Sequence, residues 1–343
     1  MFPRSSPIVE LVEVKPQVKI SPVEAETLAR EEFGLEATAE PLVGERDQNF
    51  LLRENSGRKF ILKVIHPDEA EQRLDFQSRL LDHVSRVHPD LPVPRVIKRK
   101  PAGTVADDFH LQCLTFLDGT PLHLSAMSAN LRRSVGNFQA KLSIALQEFH
   151  HPAENLKILW DTKCLANFSD LADSIENVGR RALVNTVIAQ FEANVVPLLP
   201  SLRQQVIHND FNRDNILIDG EQIAGLIDFG DIVRSPIVQD VATTCAYLGN
   251  SDDSFVEAIG DIVVGFHEVF PLHHQEVSVL LDFIMARLAL IVVIGAYKAR
   301  LNPGNAEYLL RNQQDAIRML SHLIKQNRAE TAELLASRLS EVA

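Results

Sequence analysis

The sequence predicts an α+β protein of two lobes, a small β-rich lobe followed by a mainly helical one, and three observations carry that prediction. From 37 to 65 the apolar residues recur with the period of strands. After residue 121 the helical period takes over. A single β-type island, 206–231, interrupts the helical half.

The elements follow in order. Residues 1–20 hold three prolines and little periodicity, and read as an extended lead-in. Ser21-Pro22-Val23-Glu24 is a helix start: Ser21 caps, Pro22 suits the first turn, and Glu24 closes the capping box, with Gly34 as the stop. Three strands are expected at 40–43, 49–52 and 59–65, with Asn55-Ser56-Gly57 turning the second hairpin. Pro67 opens a helix with an inward stripe of Leu74, Gln77, Leu80/Leu81 and Val84. A further strand at 110–117 is broken by Asp118-Gly119-Thr120-Pro121. The small lobe is therefore assigned to 21–117 and the helical lobe to 118–343. Leu131, Val135, Phe138, Leu142, Leu146 and Phe149 mark one long amphipathic helix ended by His151-Pro152. Helices at 277–300 and a polar amphipathic pair over 306–341 close the chain. A small β-rich lobe, a hinge, and a helical lobe with one β insertion is the arrangement of protein-kinase-like folds.

Composition narrows the function. Across 343 residues, 34 Lys+Arg against 46 Asp+Glu leave a net charge of -12. A nucleic-acid binder or a polybasic membrane-surface protein would carry the opposite balance. Three widely spaced cysteines, Cys113, Cys164 and Cys245, form no CxxC pair and fit a reducing, cytoplasmic compartment. The apolar stretch 288–297 is shorter than the roughly 20 residues a bilayer demands, so it is expected to be a buried core helix.

The chemistry lies in the β island, which reads Val206-Ile207-His208-Asn209-Asp210-Phe211-Asn212-Arg213-Asp214-Asn215 and, after a hairpin, Ile227-Asp228-Phe229-Gly230-Asp231. Phosphoryl transfer asks little covalent work of a protein; positioning and charge neutralisation dominate. A carboxylate must orient the attacking hydroxyl and accept its proton, and oxygen ligands must hold Mg²⁺ against the donor phosphates. Asp210 supplies the first, and Asn215 and Asp228 supply the metal ligands. The hairpin through Asp219-Gly220 is what would return Asp228 beside Asn215.

These residues resemble the aminoglycoside-phosphotransferase and choline-kinase superfamily, whose catalytic loop is His-x-Asp followed by Asn and a metal-binding Asp. Within it the pattern is similar to that of the hydroxylysine kinases. Asp47-Gln48-Asn49-Phe50, Leu146-Gln147-Glu148-Phe149-His150-His151-Pro152, Asp228-Phe229-Gly230-Asp231, and Leu301-Asn302-Pro303 with Tyr308-Leu309 carry that likeness over roughly residues 21 to 320. The resemblance implies a nucleotide donor, with GTP favoured over ATP. It departs at Asn209, where the family has Gly; if the position needs φ > 0, Asn is among the least costly replacements.

Kinases pair the phosphate lysine with a helical Glu. Lys63 is the phosphate lysine here, but the inward stripe of the next helix offers Gln77, which can hydrogen-bond Lys63 without neutralising it; Glu71 is a rival lying off that stripe. The loop before the second strand stands where a glycine-rich phosphate cover would be, with Arg46, Gln48 and Asn49 as replacements for its glycines. Backbone at Leu114 to Phe116 is the expected seat of the nucleotide base. On the acceptor side, Asp231 can bind an ammonium, and Trp160 can form part of a cation-binding wall. Arg287, inside an apolar helix, must pair when buried. Asp240 or Asp231 are the expected partners, and the acceptor's carboxylate is the alternative. Asp240 resembles the family's brace for the catalytic loop, and the His150-His151 pair reads as structural.

The expected function is transfer of the γ-phosphate of GTP or ATP to the hydroxyl of a small amino compound, 5-hydroxylysine first. Homoserine, choline, ethanolamine or an aminoglycoside are alternative acceptors. A non-catalytic nucleotide-binding scaffold is the alternative from another class, opposed by the intact Asp210, Asn215, Asp228 and Lys63. Replacing Asp210 or Asp228 by Ala is expected to abolish turnover and leave folding largely intact. The acidic balance suits a cationic acceptor, which a negative surface steers inward.

Overall fold

The computed structural model describes residues 19–42, 47–66, 71–100, 109–249 and 254–342. The chain is a protein-kinase-like fold, with a small antiparallel sheet in the N-lobe and helices in the C-lobe. The expected capping box is present: Ser21 Oγ accepts the Glu24 N–H, and Glu24 reaches back to the Ser21 N–H. The helix it starts, α1 (Pro22–Leu28), runs on into a π turn, 29–33, and stops at Gly34 with φ 73°. Strands β1 (Ala37–Leu42), β2 (Gln48–Glu54) and β3 (Lys59–Ile65) pair as consecutive hairpins. Helix α2 (Glu71–Val87) follows, then the short β4 (Val96–Ile97) and β5 (His110–Thr115). The sheet order is β1-β2-β3-β5-β4. One face packs Phe50, Leu52, Phe60 and Leu62 against α1 in a core of its own.

Helix α2 does not complete that core. Its buried stripe, Phe76, Leu80, Leu81 and Val84, joins the large core of the C-lobe. Phe76 stacks on Phe149 at 6.1 Å and on His151 at 5.0 Å, and His151 Nε2 lies 3.1 Å from Asp75. The His151 side chain is thus a structural link between the lobes. That the stripe turns away from the sheet is not legible in its period, because periodicity marks a buried face and not the partner that covers it.

Beyond the two-residue β6 (Thr120–Pro121), the C-lobe begins with α3 (Ala129–Ala145), four residues shorter than the expected helix, and α4 (Val178–Asn194). Strand β7 (Gln204–Ile207) leads into the catalytic segment, and β8 (Ile216–Asp219) and β9 (Gln222–Leu226) form the expected hairpin. Strand β10 (Val233–Pro236) pairs with β7 and runs directly into α5 (Ile237–Leu248). Helices α6 (Phe255–His267) and α7 (His274–Leu301) build the core, and α8 (Ala306–Leu310), α9 (Gln313–Leu323) and α10 (Arg328–Ser340) replace the expected terminal pair. Asn327 caps α10, accepting the N–H of Ala329 and Glu330, and the extra break is the turn at 311–312 between α8 and α9.

Helices α3 and α6 touch backbone to backbone. A Cβ at Gly136 would lie 2.0 Å from the Ile262 carbonyl oxygen, and one at Gly265 would lie 2.1 Å from that of Arg133, so only glycine allows this approach. Helix α7 is long and apolar enough to cross a membrane by composition, yet 94% of its most apolar window is buried inside the protein. It is the core helix that the sequence predicts, and it buries four charged residues, Glu276, Asp282, Arg287 and Lys298, of which Arg287 lies at mid-helix.

Candidate active site

The catalytic segment is shaped by two residues in the left-handed region, Asn209 at φ 65° and Asp228 at φ 59°. Both are residue types that tolerate it best after glycine. The Asn209 N–H donates to Asp240 Oδ1 at 2.6 Å, from the first turn of α5. Burial pushes the Asp240 carboxyl up to about 6, against the pull of that bond. The Asn209 amide does what a glycine could not: it donates to the Trp160 carbonyl at 3.3 Å and accepts from Gln239 Nε2 at 2.8 Å. Alanine offers neither the tolerance nor the bonds. Asn209→Ala is expected to be less stable than Asn209→Gly by about 1 kcal/mol, with wild type at least as stable as the glycine variant. Thermal denaturation of the three proteins decides it, and equal stabilities for Ala and Gly would contradict a left-handed backbone here.

His208 is fully buried between Phe211 and Phe229, with ring centroids at 5.1 and 4.6 Å. Burial pushes its imidazole down to about 4, so the ring is neutral at pH 7. Nδ1 accepts the Asp210 N–H at 3.2 Å and Nε2 faces the Ile227 carbonyl at 3.2 Å, which joins the two halves of the segment.

Asp210 sits at the centre. Its Oδ1 accepts from Arg287 Nη2 at 3.0 Å; its Oδ2 accepts from Asn212 at 2.9 Å and from Asn215 Nδ2 at 2.7 Å. Burial pushes the carboxyl up from the usual carboxylate range; Arg287 pulls it back, and Asp231 and Asp228 push it further up. A raised carboxyl is a better proton acceptor than a free one. Asn215 spends its Nδ2 on Asp210, which leaves its oxygen for a cation. The Ile227 N–H donates to the Asn215 carbonyl at 2.9 Å, which sets Asp228 beside it, and Asp228 Oδ1 accepts the Gly230 N–H at 3.2 Å.

The donor set of Asn215 and Asp228 is hard oxygen, which suits Mg²⁺. Among the described residues, no group of three or more His, Cys, Asp or Glu side chains could cage a metal. That agrees with an ion bound through one or two protein oxygens, with phosphates and water completing its shell.

Asp210, Asn215, Asp228 and Lys63 line one continuous cavity of about 1330 Å³ between the lobes. Asn49, Gln77, Leu114, Phe116, Asp231, Trp160 and Arg287 line it too. Several details differ from expectation. Lys63 meets the Asp47 carboxylate at 3.3 Å, from the turn before β2, while Gln77 is buried on α2 and Glu71 is exposed. Gln48 is not at the phosphate cover: its amide pairs with both backbone groups of Ile20 at 2.8 Å. The reason is strand alternation, since Asn49, opposite Lys63 in the ladder, takes the cleft face and Gln48 the other. Asn49 Oδ1 is buried without a hydrogen-bond partner. Arg46 lies outside the described residues. At the hinge, Thr115 N–H donates to Arg95 O at 2.9 Å and Phe116 N–H to Lys59 O at 3.1 Å. A base must therefore use carbonyls there or the adjoining backbone.

On the acceptor side, Arg287 meets Asp210 and not Asp240 or Asp231. The Trp160 ring, expected to face the acceptor's cation, faces an internal one: the Arg287 guanidinium lies 4.8 Å from it and 5.5 Å from the ring of Tyr247. Arg73 lies 3.6 Å from Asp231 and donates to the Gly230 carbonyl at 3.1 Å. Sequence reasoning missed Asp47, Arg73 and Tyr247. Arg73 had a signal, lying four residues before Gln77 on the same helical face.

The model of the phosphotransferase enzyme family matches residues 38–267, the whole of the sheet and the catalytic segment. The chain belongs to that family. It is a phosphotransferase acting on a hydroxyl group of a small molecule. Among curated relatives, a hydroxylysine kinase of Mus musculus is 25% identical over 344 residues, 91% of each chain. A homoserine kinase of Mesorhizobium japonicum is 31% identical over 241 residues, covering 69% of this chain and 73% of that one. Among solved structures, an amicoumacin kinase in complex with AMP-PNP and Ca²⁺ superposes with a TM-score of 0.67 at 13% identity, covering 91% of this chain and 97% of the other.

Proposed function

We propose that this phosphotransferase moves the γ-phosphate of GTP or ATP to the hydroxyl of 5-hydroxylysine. One observation carries the reading: Asp210, Asn215, Asp228 and Lys63 line a single cavity large enough for nucleotide and acceptor together. The acceptor hydroxyl lies against Asp210, whose Oδ2 takes the proton as the oxygen bonds to Pγ. The bond from Pγ to the β-phosphate bridging oxygen breaks, and the nucleoside diphosphate leaves. Asn215 Oδ1 and the Asp228 carboxylate hold Mg²⁺, which neutralises charge on the donor phosphates. Lys63 exchanges Asp47 for a phosphate oxygen. Asp231 and the acidic surface favour an acceptor bearing an ammonium group. The three free cysteines favour a reducing, cytoplasmic setting.

The hydroxylysine kinases favour this acceptor because their likeness spans 79% to 92% of the chain. Homoserine is the second reading, favoured by the higher identity of the shorter match. A coupled assay with GTP and ATP against 5-hydroxylysine, homoserine, choline, ethanolamine and an aminoglycoside separates them. The highest kcat/KM is expected with 5-hydroxylysine. A higher value with homoserine would replace the acceptor, and tight Mg-nucleotide binding without turnover of any acceptor would favour a scaffold.

A further inference from the structure

Helix α7 is buried along nearly its whole length, and Arg287 is 1% exposed at its middle. A guanidinium taken so far from water costs several kcal/mol unless paired, and core packing alone would be better served by leucine. The bonds of Arg287 show what it is for. Nη2 donates to Asp210 Oδ1 at 3.0 Å and lies 3.4 Å from the Tyr247 hydroxyl; Nη1 donates to the Trp160 carbonyl at 3.0 Å. The Trp160 and Tyr247 rings face the guanidinium at 4.8 and 5.5 Å. The Trp160 carbonyl also receives Asn209 Nδ2, from the residue that precedes Asp210. Each of these partners belongs to the catalytic segment or the cavity wall, and only the contact with Tyr247 also ties α7 to a neighbouring helix, α5.

We propose that Arg287 is a positioning residue for phosphoryl transfer, an internal cation clamped between Trp160 and Tyr247 that fixes Asp210 Oδ1 while Asn212 and Asn215 hold Oδ2. The inference rests on the reading of Asp210 as the group that orients the acceptor hydroxyl. Because Arg287, Trp160 and Tyr247 also line the cavity, the wall that an acceptor touches and the group that aims Asp210 form one unit. An acceptor that seats well against the two rings therefore finds Asp210 already aimed. The planar fork is essential to this role: one nitrogen holds Asp210 while another holds the Trp160 carbonyl. A lysine ammonium is a point charge on a flexible stem and cannot keep both in the same geometry.

The test uses Arg287→Lys and Arg287→Ala, assayed with 5-hydroxylysine and GTP. Arg287→Lys keeps the charge opposite Asp210 and is expected to fold. Its kcat should fall on the order of 10²-fold, the scale of a misplaced reacting group, with the nucleotide KM unchanged. Arg287→Ala should lose at least as much, and millimolar guanidinium should restore part of kcat where equal tetramethylammonium does not. A merely structural arginine predicts wild-type kcat in Arg287→Lys and no rescue in Arg287→Ala; either result overturns the proposal. Asp210→Asn run alongside separates the two readings. An active Asp210→Asn removes the role of Asp210 itself, whereas an inactive one beside a fully active Arg287→Lys removes only the role of Arg287.

Discussion

Asp210→Asn is expected to lower kcat by about 10³-fold, within the range that a positioned acid–base group contributes, while the protein keeps its fold. The amide keeps the shape of the carboxylate, and its oxygen can still accept from Arg287 Nη2, which now lies 3.0 Å from Oδ1. What it loses is the negative charge opposite Arg287, the acceptor for Asn212 and Asn215 at Oδ2, and the capacity to take the acceptor's proton. Asp210→Ala is a poorer experiment. It would leave a guanidinium that is 1% exposed without its carboxylate, and breaking a buried pair from one side costs about 3–5 kcal/mol. The expectation from sequence, that alanine at this position spares the fold, is therefore revised: loss of turnover in Asp210→Ala would mix chemistry with unfolding. Steady-state kinetics and a melting curve on both variants check this. Turnover by Asp210→Asn within about tenfold of wild type would rule Asp210 out as the proton acceptor.

The second large effect is expected at Asp228. Asp228→Asn keeps a residue type that tolerates φ 59°, and its side-chain oxygen can still accept the Gly230 N–H. The side chain is exposed. Only the negative charge beside Asn215 goes. Affinity for Mn²⁺ in the presence of a non-hydrolysable nucleotide should fall by at least about 100-fold, the upper end of what is lost when a group that merely supports a metal ligand is removed. Turnover should fall with it. Calorimetry or Mn²⁺ spectroscopy reads the affinity without relying on activity. Wild-type metal affinity in a folded Asp228→Asn protein would take Asp228 out of the metal site.

Much of the architecture was legible. Strand β3 occupies the very residues, 59–65, that alternation marks, and the capping box at Ser21 and Glu24 formed as written. These features depend on neighbours within a few residues, so a local pattern suffices. Strand β4, two residues after a pair of prolines, was missed because two residues carry no period. The candidate site was legible to the same extent. The spacing of His208, Asp210 and Asn215, and the hairpin that returns Asp228, is local geometry, and the backbone followed it.

The pairings that decide how the site works were not local. Asn49 and Gln48 must face opposite ways on a strand, but which one sees the cleft depends on where α1 lies, and Ile20 claims Gln48 across 28 residues. An arginine in an apolar helix must find a carboxylate, and Asp210, Asp231 and Asp240 were all available in sequence. The packing of α7 against the catalytic segment chose Asp210, 77 residues away. Arg73 reached Gly230 across 157 residues because the apolar stripe of α2 packs into the C-lobe and carries it there. Period and spacing were enough to name the fold and to pick out candidate residues that line one cavity. Which charge faces which was left to the long-range packing of helices and sheet, because each of these contacts closes a loop whose ends no local pattern connects.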